Sequence, residues 1–149
     1  MAVMGSTKFE RLFRHAAEVR VDRADIKRYL DFVNDMIYEV LLVGQATAKA
    51  NARDIIEPWD APITAGLQNC MHQFERIDEE IELRPILDSL AARPPLASAL
   101  SEETQARLPI LFGGISVALA RTFRILDAEI SAVHTEEWGR AFDVVRVLI

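Results

Sequence analysis

Apolar residues between Asp22 and Asn51 recur at the three- and four-residue spacing of an amphipathic helix. The positions that keep this spacing are Ile26, Leu30, Val33, Ile37, Val40, Leu41 and Gly44. At about 1.5 Å per residue, the helix would be on the order of 45 Å long, which is as wide as a whole domain of this size. The pattern therefore predicts a long central helix around which shorter elements pack.

Shorter amphipathic stretches flank this long helix. Residues 7–17 predict a first short helix, and residues 58–77 predict a third helix that begins at Pro58. Two short β-favouring segments, residues 19–21 and residues 55–56, separate these helices from the long one. The first half of the chain is thus predicted to be a short helix, a long helix and a short helix, with an extended loop at each junction.

The second half of the chain repeats this order. Pro85 begins a short helix that we expect to end near residues 93–95, Ser101 caps a second long helix, and Thr135 caps a last one. Trp59 and Trp138, each predicted to be a core or staple residue at the start of a helix, are 79 residues apart. This spacing indicates an internal repeat.

The repeat divides the chain into two structural units. We expect residues 1–78 to form the first unit, residues 79–82 an acidic connector, and residues 83–149 a degenerate second unit that folds together with the first. Within the second long helix, Pro109 and the Gly113-Gly114 pair are predicted to bend or weaken the helix.

Composition favours a globular cytoplasmic protein. The chain has 149 residues, of which 50% are hydrophobic, so it can bury a real core. Its single cysteine, Cys70, excludes an internal disulfide framework and fits a reducing compartment. The first residues lack the pattern of a signal peptide, and the apolar run at residues 110–120 is shorter than the roughly 20 residues that span a bilayer. We therefore expect no membrane partner.

Charge is distributed unevenly along the chain. The net charge of −6 argues against nucleic-acid binding, because nucleic-acid-binding proteins usually carry a basic excess. Residues 1–28, however, contain seven basic and four acidic residues and have a net charge of +3. This basic end forms either a local positive patch or an ordinary solvated helix face.

Candidate catalytic and metal-binding groups are few and scattered. Cys70 and His72 are two residues apart on a helix, so they point about 200° apart and cannot act together. His15 and His134 are isolated, and the acidic residues 78–82 lack the glycine turn of a calcium loop. We therefore predict that the protein is not an enzyme and that it uses no metal or cofactor.

Two segments carry a specific resemblance. The sequence RLFRHAAEVRV, at residues 11–21, resembles the first helix and the arginine-valine first loop of the histone fold of the archaeal type. NARDIIEPWDAPI, at residues 51–63, resembles the second loop and the start of the third helix. The match covers residues 9–67, and the whole chain is similar to a group of uncharacterised bacterial proteins that carry two histone folds in tandem.

The resemblance implies an all-α tandem histone fold. Because a single histone fold cannot bury the apolar face of its long helix, two copies cross in a handshake, and two copies in one chain make that dimer intramolecular. Such a pseudo-dimer is viable as a monomer. A generic bundle of long helices would explain the apolar stripes but not the two short loops.

The resemblance also implies a nucleic-acid interface. In DNA-binding members of the family, the duplex contacts a ridge formed by the first helix and the paired loops. The residues of this chain that match or lie beside basic positions on that ridge are Arg11, Arg14, Arg20, Arg23 and Arg53. The resemblance further implies a structural salt bridge between Arg53 and Asp60. Asp54 and Ile55 depart from the family pattern, which has a lysine and a threonine there.

Two functions follow from these features. The first is weak, salt-sensitive and sequence-independent binding of double-stranded DNA by the basic end, which would place the protein at the nucleoid. The second is a histone-fold module that binds other proteins and does not bind nucleic acid. The sequence leaves both open.

Overall fold

The protein folds into six α-helices over the residues described by the computed structural model, which are 5–90 and 96–149. The helices are α1 (Ser6–Ala17), α2 (Ile26–Ala50), α3 (Ala65–Ile81), α4 (Arg84–Leu90), α5 (Glu102–Leu126) and α6 (Thr135–Leu148). Two short strands, β1 (Ile55–Ile56) and β2 (Ala99–Leu100), form a parallel pair. The predicted all-α class is confirmed, and each half contains one long helix between shorter ones.

The long helix α2 starts later than the sequence pattern predicted. Asp22 caps a turn of 3-10 helix, Arg23–Asp25, by accepting a hydrogen bond from the backbone N–H of Ala24. The α-helix then runs for 25 residues, with Asn51 as its C-cap. At 1.5 Å per residue it is about 37 Å long, so it still spans the molecule.

Helix α3 begins seven residues after the predicted start at Pro58. Residues Pro58–Asp60 form a separate 3-10 turn, and the side chain of Thr64 caps α3 by accepting from the backbone N–H of Leu67. The cause is Pro62, because a proline disfavours helical geometry in the residue before it. Ala61 is accordingly extended, with φ −72° and ψ 132°.

The predicted acidic connector, residues 79–82, forms the last turn of α3 and its cap. Ile81 is 1% exposed and continues the apolar stripe of Phe74 and Ile77, which keeps the segment helical. Glu82 ends the helix in the left-handed conformation, with φ 52°. Only Glu82 and Leu83 separate α3 from α4. The predicted end of the following helix, at residues 93–95, lies outside the described residues.

Reciprocal pairing of the loops locks the two halves together. The strand after α2 pairs with the strand before α5, with Ile55 opposite Ala99. At the other end, the backbone N–H of Arg20 donates to Ser131 O (2.9 Å), and the N–H of Val133 donates to Arg20 O (2.9 Å). Each end of α2 therefore meets the opposite end of α5, and the two long helices run in opposite directions.

Helix α5 is the most deeply buried element. Every residue from 111 to 117 is buried, and the helix contacts α1, α2, α3, α4 and α6. The helix is long enough to cross a membrane, and an 18-residue stretch of it has a mean hydropathy of 1.4. However, 67% of that stretch is buried inside the protein. Inside this core, the Tyr29 hydroxyl hydrogen-bonds to the Ser116 hydroxyl, which also donates to Phe112 O. Burial raises the pKa of Tyr29 well above its ordinary value.

The glycine pair in α5 serves close helix packing. A Cβ on Gly113 would collide with the Phe74 ring, and one on Gly114 would collide with the Met71 side chain. The helix runs without interruption through Pro109 and both glycines, so the predicted weakening does not break it. The glycines allow α3 to pack directly against the backbone of α5.

Gly113→Ala is expected to lower the free energy of unfolding by about 1–3 kcal/mol, because the new Cβ must displace the buried Phe74 ring. Gly66→Ala is the matched control, since nothing lies within 4 Å of its added Cβ. That substitution should raise the stability by about 0.5–1 kcal/mol, as alanine does in helices. Urea unfolding followed by circular dichroism measures both. A Gly113→Ala variant as stable as the parent would contradict the close approach.

Candidate nucleic-acid interface

Three of the predicted interface arginines are exposed and have no partner among residues 5–90 and 96–149. Helix α1 buries Phe9, Leu12 and Phe13, and Arg11 and Arg14, three residues apart, are exposed on its outer side. Among the described residues, neither side chain has a hydrogen bond or an ion pair. The two guanidinium groups are therefore available to a ligand.

Arg20 is the third of these arginines and lies in the loop between α1 and α2. Its backbone is fixed between Ser131 and Val133, whereas its side chain is exposed and has no bonded partner among the described residues. The pairing with the second half of the chain thus holds this cation in place. Arg11, Arg14 and Arg20 all lie within the basic end, residues 1–28.

Arg23, also predicted to contact nucleic acid, is paired with α1 in the structure. Its Nε donates to a carboxylate oxygen of Glu10 (3.0 Å), and its Nη2 donates to the Thr7 hydroxyl (3.2 Å). The side chain remains 62% exposed, but its charge is paired. Arg23 therefore connects the start of α2 to α1 and is a weaker candidate for a phosphate contact.

Arg53 forms the salt bridge with Asp60 that the resemblance implies. Both terminal nitrogens of Arg53 donate to the two carboxylate oxygens of Asp60, each at 2.7 Å. The Asp60 side chain is fully buried and also accepts from the backbone N–H of Glu57 (2.8 Å). The Arg53 hydrogen bonds, together with the Glu57 bond, lower the pKa of Asp60 to about 2. The salt bridge fixes the second loop, and the charge of Arg53 is neutralised by Asp60.

Acidic residues interrupt the predicted ridge beyond the basic end. Asp54 is exposed beside Arg53, and Glu57 follows three residues later. On α1 itself, His15 lies 3.9 Å from Glu80, and Lys8 donates to the backbone oxygen of Glu82. Of the five predicted arginines, those without a partner among the described residues therefore lie on α1 and the first loop, and the second loop contributes none.

Sequence reasoning missed the role of Arg124, which lies on α5. Its Nη2 donates to the backbone oxygens of Ala17 (2.8 Å) and Glu18 (3.3 Å), so it caps the C-terminal end of α1. These partners are more than a hundred residues away in sequence. No local signal could have identified the contact.

The two tryptophans occupy opposite environments. Trp138 is fully buried and packs against Phe13 and Phe123 in an aromatic cluster, as predicted. Trp59 is 71% exposed on the 3-10 turn, so its predicted core position is wrong. The difference arises because the turn and Pro62 separate Trp59 from α3, whereas Trp138 lies on α6 itself.

The remaining candidate groups are separated from one another. Cys70 is buried, and burial raises the pKa of its thiol, with Arg121 Nη1 3.8 Å from the sulfur. His72 is exposed and hydrogen-bonds to Gln68. Within the described part of the chain, no three His, Cys, Asp or Glu side chains gather in a way that could hold a metal ion.

The structure defines a class of small all-α protein in which two helical halves are joined by backbone pairing at both ends. Known proteins share this arrangement. The chain belongs to the family described as a domain of unknown function, DUF1931, whose model matches residues 9–146. Its structure is similar to the crystal structure of ttk003001566 from Thermus thermophilus, with a TM-score of 0.87 and 42% identity over 97% of both chains.

Proteins from Aquifex aeolicus are similar at lower identity. The crystal structure of protein AQ328 has a TM-score of 0.84 and 20% identity, covering 97% of this chain and 95% of that one, and this likeness concerns the fold alone. An uncharacterized protein of strain VF5 is 26% identical over 94% of this chain and 89% of its own length. A second uncharacterized protein of the same strain is 22% identical over 74% of this chain, and the match covers 65% of that protein's length.

Asp60→Asn is expected to destabilise the fold at neutral pH, because it removes the carboxylate that holds Arg53. A carboxyl group whose pKa falls from 3.8 to about 2 on folding stabilises the native state above pH ~4. This contribution disappears as the pH falls from about 4 through about 2. The stability difference between the parent and the variant should therefore shrink over that range.

Urea unfolding at several pH values measures this difference. Asp54→Asn is the matched control, since Asp54 is an exposed neighbour without an ion pair among the described residues. It should change stability little at any pH. A deficit of Asp60→Asn that stayed constant down to pH ~2 would show that the salt bridge does not act through the Asp60 charge.

Proposed function

We propose that this protein is a weak, sequence-independent DNA-binding protein with a tandem histone fold, and that it contacts duplex phosphates through Arg11, Arg14 and Arg20. The observation that carries the proposal is the exposure of these three arginines without internal partners among the described residues. Free guanidinium groups on a rigid helix and an adjacent loop suit phosphate contacts. As a DNA-binding protein it would act in the cytoplasm, at the nucleoid.

The arrangement of the two halves supports the histone-fold part of the proposal. Two histone folds in a handshake need long helices that cover each other and loops that pair at both ends. Here α2 and α5 run in opposite directions, Ile55 pairs with Ala99, and Arg20 pairs with Ala132. Under this proposal, the chain is a pseudo-dimer that requires no second copy to bury its long helices.

The number of cations in this set of three determines the expected strength of binding. With three phosphate contacts, the logarithm of the binding constant should fall with the logarithm of salt concentration with a slope of about −2.7. Proteins that make six or more contacts depend far more steeply on salt. Binding should therefore be measurable at low salt and lost near physiological ionic strength.

Arg11→Ala/Arg14→Ala/Arg20→Ala is expected to abolish this binding, because it removes all three phosphate contacts. Fluorescence anisotropy with a short labelled duplex, measured at several salt concentrations, provides the affinity and the slope. Arg76→Ala/Arg107→Ala/Arg140→Ala is the matched control, because it removes the same charge from exposed arginines elsewhere. The absence of parental binding at low salt, or equal loss in both variants, would refute the proposal.

A second candidate, a protein-interaction module that does not bind nucleic acid, is favoured by an apolar surface at the ends of α5 and α6. Ile125 is 78% exposed, Leu126 51%, Val147 83% and Leu148 69%. Ile125 and Leu148 also line a groove of about 280 Å³ between α3, α5 and α6. Exposed apolar side chains beside a groove are typical of interaction surfaces.

For this second candidate, Val147→Ser/Leu148→Ser is expected to release partners that the parent retains, because it makes the apolar surface polar. The measurement is a pull-down from nuclease-treated lysate, compared with an untreated one. Partners that survive nuclease and are lost with the variant favour the module. Partners lost with nuclease alone favour DNA binding, and partners that both proteins retain equally exclude this surface.

A further inference from the structure

Trp59 and Ile55 are two exposed apolar residues of the second loop. Trp59 is 71% exposed and Ile55 is 48% exposed. The backbone of both is held in place, because Ile55 is paired with Ala99 and Trp59 precedes Asp60, which is bound by Arg53. An exposed tryptophan on a fixed backbone is the kind of residue that anchors protein–protein interfaces.

Four carboxylates lie on the same loop and on the helix turn that is held against it. Asp54 and Glu57 lie on the same loop, and Glu102 and Glu103 lie in the first turn of α5. That turn is held against β1, since Ser101 N–H (3.1 Å) and the Thr104 hydroxyl (2.8 Å) both donate to the backbone oxygen of Ile56. The second loop and the start of α5 therefore form a single surface.

The charge of this surface is not balanced internally. Residues 53–60 and 101–107 contain five acidic and two basic residues, a net charge of −3. One of the two basic residues, Arg53, is already bound to Asp60. Among the described residues, the four carboxylates, Asp54, Glu57, Glu102 and Glu103, take part in no ion pair.

We propose that the Trp59 surface, formed by Trp59, Ile55 and these four carboxylates, docks a segment of a partner protein that carries an apolar side chain flanked by lysines or arginines. The apolar pair would hold the apolar side chain, and the carboxylates would pair with the flanking cations. A cation can also lie over the exposed indole face. The same carboxylates repel phosphate, so this surface selects a basic protein segment over DNA.

This inference is independent of the proposed DNA binding. Arg20 precedes α2 and the Trp59 surface follows it, so the length of the helix, about 37 Å, separates the two. Several Debye lengths lie between them at physiological salt. Failure of one proposal therefore leaves the other intact.

The test uses the full chain and a synthetic peptide with a central leucine-phenylalanine pair flanked by lysines, labelled with fluorescein. Anisotropy should show saturable binding to the parent. Trp59→Ala and Glu102→Gln/Glu103→Gln should each weaken it by about tenfold or more, as loss of an interface anchor does. Glu75→Gln/Glu79→Gln, at exposed acids on α3, is the charge-matched control and should bind as the parent does.

Intrinsic fluorescence provides a second readout with unlabelled peptide. Since Trp138 is buried and Trp59 is exposed, a shift of the emission to shorter wavelength on titration would report burial of Trp59. Trp59→Phe should eliminate the shift. The proposal fails if the parent shows no saturable binding, if Trp59→Ala binds equally, or if both glutamine pairs behave alike. It also fails if duplex DNA produces the same shift, since the surface would then bind nucleic acid.

Discussion

The burial of α5 on every side is the constraint on which the rest of the structure depends. A helix with buried residues at seven consecutive positions, 111–117, cannot lie on a surface, so other helices must cover it all round. The contact with α3 requires Gly113 and Gly114, because a side chain at either would collide with Phe74 or Met71. The first half of the chain therefore wraps the central helix of the second half, and neither half has a complete core alone.

The existence and order of the helices could be predicted because apolar spacing is a local property of the sequence. The boundaries were less accurate where two local signals competed. Pro58 suits a first helical turn, but Pro62 prevents the helix from continuing, and Thr64 then provides the cap. Likewise, the charge of residues 79–82 suggested a connector, while Ile81 continued the apolar stripe that keeps them helical.

The parts of the candidate site that escaped prediction depend on contacts between distant residues. The pair Arg53 and Asp60 lies within one loop, so a sequence motif could reveal it. The pairing of Arg23 with Glu10 and the capping of α1 by Arg124 need the fold itself. The position of Trp59 was predicted wrongly for a related reason. In sequence, both tryptophans stand at the start of a predicted helix next to an apolar loop, so local signals cannot distinguish the exposed one from the buried one.

Net charge is a poor guide to the local electrostatic potential of this protein because its charges are separated along α2. At physiological salt, charges more than about 8 Å apart are largely screened, so the acidic surface beyond the far end of α2 does not cancel the basic end. The local neighbours matter more. Glu80 beside His15 and the paired Glu10 reduce the field near α1, whereas Arg11, Arg14 and Arg20 retain their charges without an internal partner among the described residues. What each end of the molecule can bind therefore depends on which of its charges the fold has already paired.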